Sequence, residues 1–463
     1  MKIRNLLSLL WVVLGMMSCT DNDNTYINDN DMAGLVKLTP EELISVSYDD
    51  AGLLSSEEAL QIVRDFQNGL KQSVSKTRAI PDISIKKCYN VGFDGTRLLS
   101  GETRSVGEEI ITAPVYEVSL NDGKGMALVA GDERAPSVLA YVPELPDVPE
   151  LGEGELNLML EWSKASYMAS LQKQKEIRNR EKENTIKKIA LELSMRPEEV
   201  TKQVIAEKTY VVYDNKVYTR SKPTMDIPGQ IEAYSAPLLQ TNWSQREPYN
   251  SLLEIDDKVS DGWGGYERKQ VPAGCAVVNL AQLYAFCEPE MMVDGMRIDW
   301  SLLKQTPTIT DNSSSERKMM VAALIKQLYE EAQSYKERED GIVVGSATSA
   351  SDFIRVLTSR VDANSQVSYD ADEVYGSLLS FRPCVIRGEG HSFTIDGYII
   401  SEKITRQILK SHDMYWHAVL GWGSDDTAWY KLDLDTHLIF ESGGHTFNTR
   451  NLMILSHIRP KQS

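Results

Sequence analysis

Cys275 stands where a loop breaks into an apolar run, in Val271–Phe286 (VPAGCAVVNLAQLYAF). Pro272 and Gly274 mark the loop, while Val278, Leu280, Ala281, Tyr284 and Ala285 can line one face of a helix. The pattern predicts Cys275 in the first helical turn. There a thiolate feels the positive end of the macrodipole and the unpaired N–H groups of that turn, which makes the thiol more acidic and more nucleophilic. The same residue could be a small buried core cysteine, the commoner fate of a lone Cys. Other residues must decide between the two.

Three stretches bear on that decision. Gln245, in Leu238–Asn250 (LLQTNWSQREPYN), precedes Cys275 by 30 residues. Its amide can donate to the oxyanion that forms when a thiolate attacks a carbonyl, together with the N–H of Cys275 itself. All six histidines, His391, His412, His417, His437, His445 and His457, follow residue 390, so any imidazole must come from the last sixth of the chain. His391 opens the strand-like segment Ser392–Ile395 in GHSFTIDGY, and it can approach Cys275 only through tertiary folding, as Cys/His pairs do. Trp416–Tyr430 (WHAVLGWGSDDTAWY) places a Gly-Trp-Gly turn after a strand, where a Trp could shield an imidazolium from water.

The remaining histidines read as surface or loop residues, because no carboxylate cluster stands near them at metal-ligand spacing; neither metal nor cofactor is expected. Pro383-Cys384-Val385-Ile386 reads as buried strand and Cys287 as core. Asp396 is near His391 in sequence, but the turn that follows is expected to claim it. Gly262-Trp263-Gly264-Gly265-Tyr266 lacks the Lys-Ser/Thr of a phosphate loop and could shape a cleft.

These residues need a scaffold, and the chain is long enough to supply one. Its 463 residues allow two or three domains, and 42% hydrophobic with 25% charged residues is ordinary globular composition. A net charge of −18 argues against nucleic acid as a partner. Much of that charge lies in residues 20–60, where ten acids face Lys37 alone, so it reads as a solvated tether. Five scattered cysteines without a CxxC pair form neither a disulfide framework nor a zinc site.

At the front, Lys2 and Arg4 precede the apolar run Leu6–Met17, too short to span a bilayer but suited to a secretory signal. It ends in Met16-Met17-Ser18-Cys19, which resembles a bacterial lipobox with Cys19 as the lipidated residue. Thr39–Glu42 and Ser55–Glu58 carry helix-capping patterns, and Ser56–Leu70 reads as an amphipathic helix. From Ile83 to Tyr141 short strands are expected, with Val115–Leu120 and Gly125–Ala130 joined at Asn121-Asp122-Gly123. Pro143–Gly154 reads as a linker, Leu156–Glu207 as helix throughout (a bracing helix pair), and Tyr210–Tyr218 as a hairpin around Asp214-Asn215. Thr219–Gln230 is loop-like and protease-accessible in character, and the last domain is expected to start near Ile231–Leu239.

The C-terminal motifs together resemble the streptopain family of papain-like cysteine peptidases. AGCAVVNLAQ is similar to its nucleophile motif, NWSQREPYN to its oxyanion-glutamine motif, GHSFTIDGY to its histidine motif, and WHAVLGWGSDD to its Trp-Gly-Trp-Gly strand and turn. Upstream, Tyr116–Pro143 resembles the end of the family's inhibitory prodomain. The resemblance implies an α+β fold: a papain-like domain over 231–463, preceded by a signal peptide (1–19), an acidic tether (20–38), a small α+β prodomain (39–150) and a helical linker with activation segment (151–230). It implies Cys275 as nucleophile, His391 as general base and acid, Gln245 as oxyanion donor and Trp422 as the Trp packed beside the histidine.

The expected activity is that of an endopeptidase made as a zymogen, acting on protein or peptide substrates with a hydrophobic second-subsite residue. Its own prodomain would inhibit it, and Cys19 would anchor it at the bacterial cell envelope, on the outer membrane or cell surface. Cleavage is expected within Thr219–Ile231. The family usually has Trp where this chain has Leu420, which leaves His391 without a polar partner from that position. A catalytically inactive peptide-binding or inhibitory homologue and a Cys/His acyltransferase are the alternatives.

Overall fold

The computed structural model describes residues 32–48, 52–74, 82–99, 110–145, 149–219, 227–261, 265–364, 367–368, 370–388, 390–405, 407–421, 428–442 and 445–461. The lipobox Cys19, the Trp422 turn and most of the expected activation segment lie outside these residues. Among the described residues no helix is long and apolar enough to cross a membrane. The architecture is mixed α+β. The chain forms two compact units, one of Met1–Gly52, Ser170–Gln230 and Ser401–His412, the other of Leu53–Ala169, Ile231–Ile400 and Asp413–Ser463.

In the first unit, Thr39 caps the helix Pro40–Val46 with a full capping box: its Oγ1 accepts from Glu42 N–H at 3.2 Å while Glu42 Oε2 accepts from Thr39 N–H at 2.8 Å. The hairpin Thr209–Tyr213/Lys216–Thr219 turns at Asp214 and Asn215, both at positive φ, as the sequence suggested. Val36, Leu43, Ile189, Ile205, Val211 and Ile408 fill its core.

The second unit carries a sheet whose strands run in the order Val367–Ser368, Met453–Leu455, Cys384–Gly388, His391–Ile404, Lys410–Val419, Trp429–Tyr430, Val138–Val142, Gly125–Ala130, Ile111–Leu120, Ile83–Phe93 and Leu98–Leu99. Its N-terminal half comes from the segment that reads as prodomain. It joins the C-terminal half through Trp429↔Tyr141 and Tyr430↔Ala140. Sequence patterning gives the strands but not this seam, because cross-strand partners nearly 300 residues apart leave no local signal. The helix Ser56–Val74 lays Ala59, Val63 and Phe66 on this sheet beside Val118, Val129 and Tyr415.

Two expectations change. Helix Pro149–Glu192 begins inside the segment that reads as linker and runs as one element rather than a pair; Arg196–Val200 then forms a short turn before Lys202–Lys208. Strand Ile227–Ser235 begins inside the segment that reads as an activation loop and pairs with the His391 strand.

A second core lies under the helix Cys275–Cys287. This helix is buried all round rather than on one face: Ala276 through Ala285 are all buried, packed by the helices Ser315–Glu331 and Ala350–Arg360. Burial on every side explains why its apolar run is nearly continuous.

Candidate active site

Cys275 is the first residue of that helix. Gly274 before it has φ +86°, a conformation that disfavours side chains, and a Cβ there would come 2.4 Å from the Ser346 carbonyl oxygen. The glycine is therefore required twice over. It also offers no side-chain cap, so the first-turn N–H groups are not claimed by the cap residue. Ser346 holds the loop from below, its Oγ donating to the Pro272 carbonyl at 2.7 Å. Cys275 is half-buried and reduced.

The Gln245 segment is tied to this helix at two places. Ala273 N–H donates to the Gln245 carbonyl at 2.9 Å, two residues before Cys275. Trp243 N–H donates to Gln282 Oε1 at 2.8 Å, and Gln282 lies two turns along the helix. Asn250 Nδ2 adds a bond to the Val271 carbonyl at 3.0 Å. Gln245 itself is buried.

His391 begins its strand, half-buried, and its ring lies 5.7 Å from that of Phe447. The tie to Cys275 comes from Asn279, which sequence reasoning missed. Asn279 is fully buried, one helical turn after Cys275. Its Nδ2 donates to the Ser392 carbonyl at 2.7 Å, and its Oδ1 accepts from Thr394 Oγ1 at 3.1 Å. Ser392 adjoins His391, so one shared bond fixes the start of the Cys275 helix against the start of the His391 strand. A polar residue four after Cys275, on the same helix face in an apolar run, was the available signal.

Arg387 lies on the strand that pairs with the His391 strand. It pairs with Ser392 in the ladder, its Nη2 donates to the Thr348 carbonyl at 2.9 Å, and its guanidinium lies 4.5 Å from the centre of the Phe353 ring. Burial pulls the guanidinium below its ordinary value, and the nearby Cys275 acts in the opposite sense.

His417 and Asp396 correct the expectations for them. His417 is a buried strand residue, not a surface one. Its Nδ1 meets Asp396 Oδ1, and its ring lies 5.3 Å from Trp429. Asp396 is wholly buried in mid-strand rather than in a turn, and its Oδ2 also accepts from Leu239 N–H at 2.8 Å. Strand alternation puts Asp396, five residues from His391, on the opposite face. It steadies the segment that leads to Gln245 rather than the His391 ring.

Leu420 is buried, and a Cβ on Gly421 after it would lie 3.5 Å from Val278 Cγ1 of the Cys275 helix. Trp422 itself lies outside the described residues. Cys384 is buried with its Sγ toward the Ile395 carbonyl at 3.6 Å, and burial pushes its thiol up, in keeping with a structural role.

Residues 243–430 match the model of the Peptidase C10 family. This is the streptopain family that the four motifs resemble, and the match supports a cysteine peptidase. Among solved structures, a prointerpain A fragment from Prevotella intermedia is 17% identical, aligning over 75% of this chain and 96% of its own at a TM-score of 0.41. The active interpain A cysteine protease of the same organism is 19% identical, over 50% of this chain and 96% of its own, at a TM-score of 0.34. No curated protein matches.

Proposed function

We propose that this chain is the zymogen of a cysteine endopeptidase. Cys275 attacks the scissile carbonyl, His391 takes the thiol proton and later gives it to the leaving amine, and water hydrolyses the acyl-enzyme. Gln245 and the Cys275 N–H receive the oxyanion, and Trp422 packs beside the imidazole. The observation that carries this reading is the Asn279 bond to Ser392, which draws the helix start and the strand start together, with the Gln245 backbone two residues away through Ala273.

Latency is supported by contacts that segment 39–150 and its continuation make with the hairpin Ile439–Ser442/His445–Asn448. Arg97 pairs with Glu441, and Ile439 N–H donates to the Thr96 carbonyl at 2.9 Å. Trp162 packs on Phe440 at 6.3 Å, Phe440 stacks on Phe447 at 5.5 Å, and Phe447 meets His391. Removing the N-terminal segments frees the hairpin that holds Phe447 on the histidine. In this reading 1–19 is a lipoprotein signal, 20–38 a tether that anchors the precursor at the cell envelope through Cys19, 39–150 the inhibitory prodomain, 151–230 the linker and 231–463 the peptidase. The cut falls within Thr219–Ile231.

The test compares the purified chain before and after limited proteolytic processing on a peptide library, with the Cys275→Ala chain as control. Internal peptide bonds are cleaved only after processing and never by the variant. N-terminal sequencing of the processed form should begin within 220–231; a start before residue 150 defeats the zymogen reading.

A further inference from the structure

We infer that Arg387 is a positioning cation that holds the Cys275 side chain as a thiolate in addition to, and separately from, His391. The inference deepens the peptidase reading and rests on it. Its ground is the enclosure of the guanidinium. The segment Ser346–Thr348 touches the Cys275 loop through Ser346, against Gly274 and Pro272, and two residues later receives Arg387 Nη2 at the Thr348 carbonyl. On the other side Arg387 pairs with Ser392, which accepts the Asn279 bond beside His391. The Phe353 ring closes one face.

Nη1 is buried and has no hydrogen-bond partner among the described residues. A buried cationic donor left without an acceptor is costly, so it persists where something else uses its charge. The titratable groups on neighbouring elements are committed. Asp352, beside Phe353, accepts from Ser349 and pairs with Arg355; Glu331 pairs with Arg360; Tyr329 meets Ser346; Cys384 on the same strand turns to Ile395. Cys275, next to the Gly274 that Ser346 packs against, lies near enough for its charge to act on the guanidinium. A nearby cation favours the thiolate, so it lowers the pH at which the Cys275 thiol ionises. A residue needed only for folding would not move that pH.

The test is the pH dependence of iodoacetamide alkylation at Cys275, followed by peptide mass spectrometry on the full chain. Wild type, Arg387→Met, Arg387→Lys, His391→Ala and the His391→Ala/Arg387→Met double variant are compared, with thermal melts as the check on folding. Arg387→Met should move the alkylation midpoint up by about one pH unit, a roughly tenfold loss of thiolate below it, while Arg387→Lys stays near wild type. The shift should recur in the His391→Ala background. If Arg387→Met does not fold, Arg387→Gln, which keeps a donor for Thr348 but not the charge, carries the same comparison. An unmoved midpoint in the folded neutral variant overturns the inference alone. A midpoint indifferent to His391→Ala overturns the peptidase reading beneath it.

Discussion

Two cysteines close the two ends of one helix, and they have opposite fates. Cys275, at the N-terminal end, is half-exposed, follows an uncapped glycine and has Arg387 nearby and the His391 strand tied in one turn away. Cys287, at the C-terminal end, is buried in the apolar core, and burial pushes its thiol up to about 12. The helix dipole favours an anion at the first end and opposes one at the second. Residue type is the same; position along the helix and the company of charges make one a nucleophile in this account and the other a small hydrophobe.

The sharpest way to break that contrast is to remove what surrounds Cys275. His391→Ala should lower peptide cleavage by about 10³-fold, measured as kcat/KM, because the thiol then lacks its proton acceptor and the leaving group its donor. Gln245→Ala should lower kcat by about 10²-fold with little change in KM, since its amide acts on charge that develops in the transition state. Asn279→Ala leaves the Ser392 carbonyl and the Thr394 hydroxyl unpaired in a dry core. It should cost about 2–4 kcal/mol in urea unfolding and reduce cleavage by loosening the start of the helix against the His391 strand.

Changes at the other end should matter far less to the chemistry. Cys287→Ala should leave kcat/KM unchanged and cost about 1 kcal/mol of stability, the loss of a small buried group. The Cys287 thiol should resist iodoacetamide at pH 8 in the folded chain and react once urea exposes it. Its folded value lies above its unfolded one, so its contribution to stability is complete below the ordinary thiol range near 9 and is lost as pH rises toward about 12. Unfolding free energy followed from pH 8 to pH 11 should fall less steeply in Cys287→Ala than in wild type.

Local signals made much of this legible. The loop glycine and the apolar run placed Cys275 at a helix start; Thr39–Glu42 and Ser55–Glu58 announced their caps; Asp214-Asn215 announced its hairpin. What the sequence withheld depends on partners distant in the chain. The seam of Tyr141 on Trp429 joins strands whose apolar patterns look alike whichever neighbour they choose. Phe447 beside His391 reads in sequence as one more core aromatic. His417 and Asp396 were misread because each looks like a loop residue alone; only pairing lets a strand bury both. Helix Pro149–Glu192 takes in the second half of the segment that reads as linker and starts at a proline, a residue tolerated at the first helical position.

The most direct test of the central claim is to trap the processed chain at pH 7 with a peptidyl electrophile, map the adduct by mass spectrometry and follow protein cleavage in parallel. The account predicts one adduct, on Cys275, formed far more slowly in His391→Ala, with adduct and cleavage both absent in Cys275→Ala. Cleavage that survives Cys275→Ala, or an adduct on Cys287 instead, would contradict it.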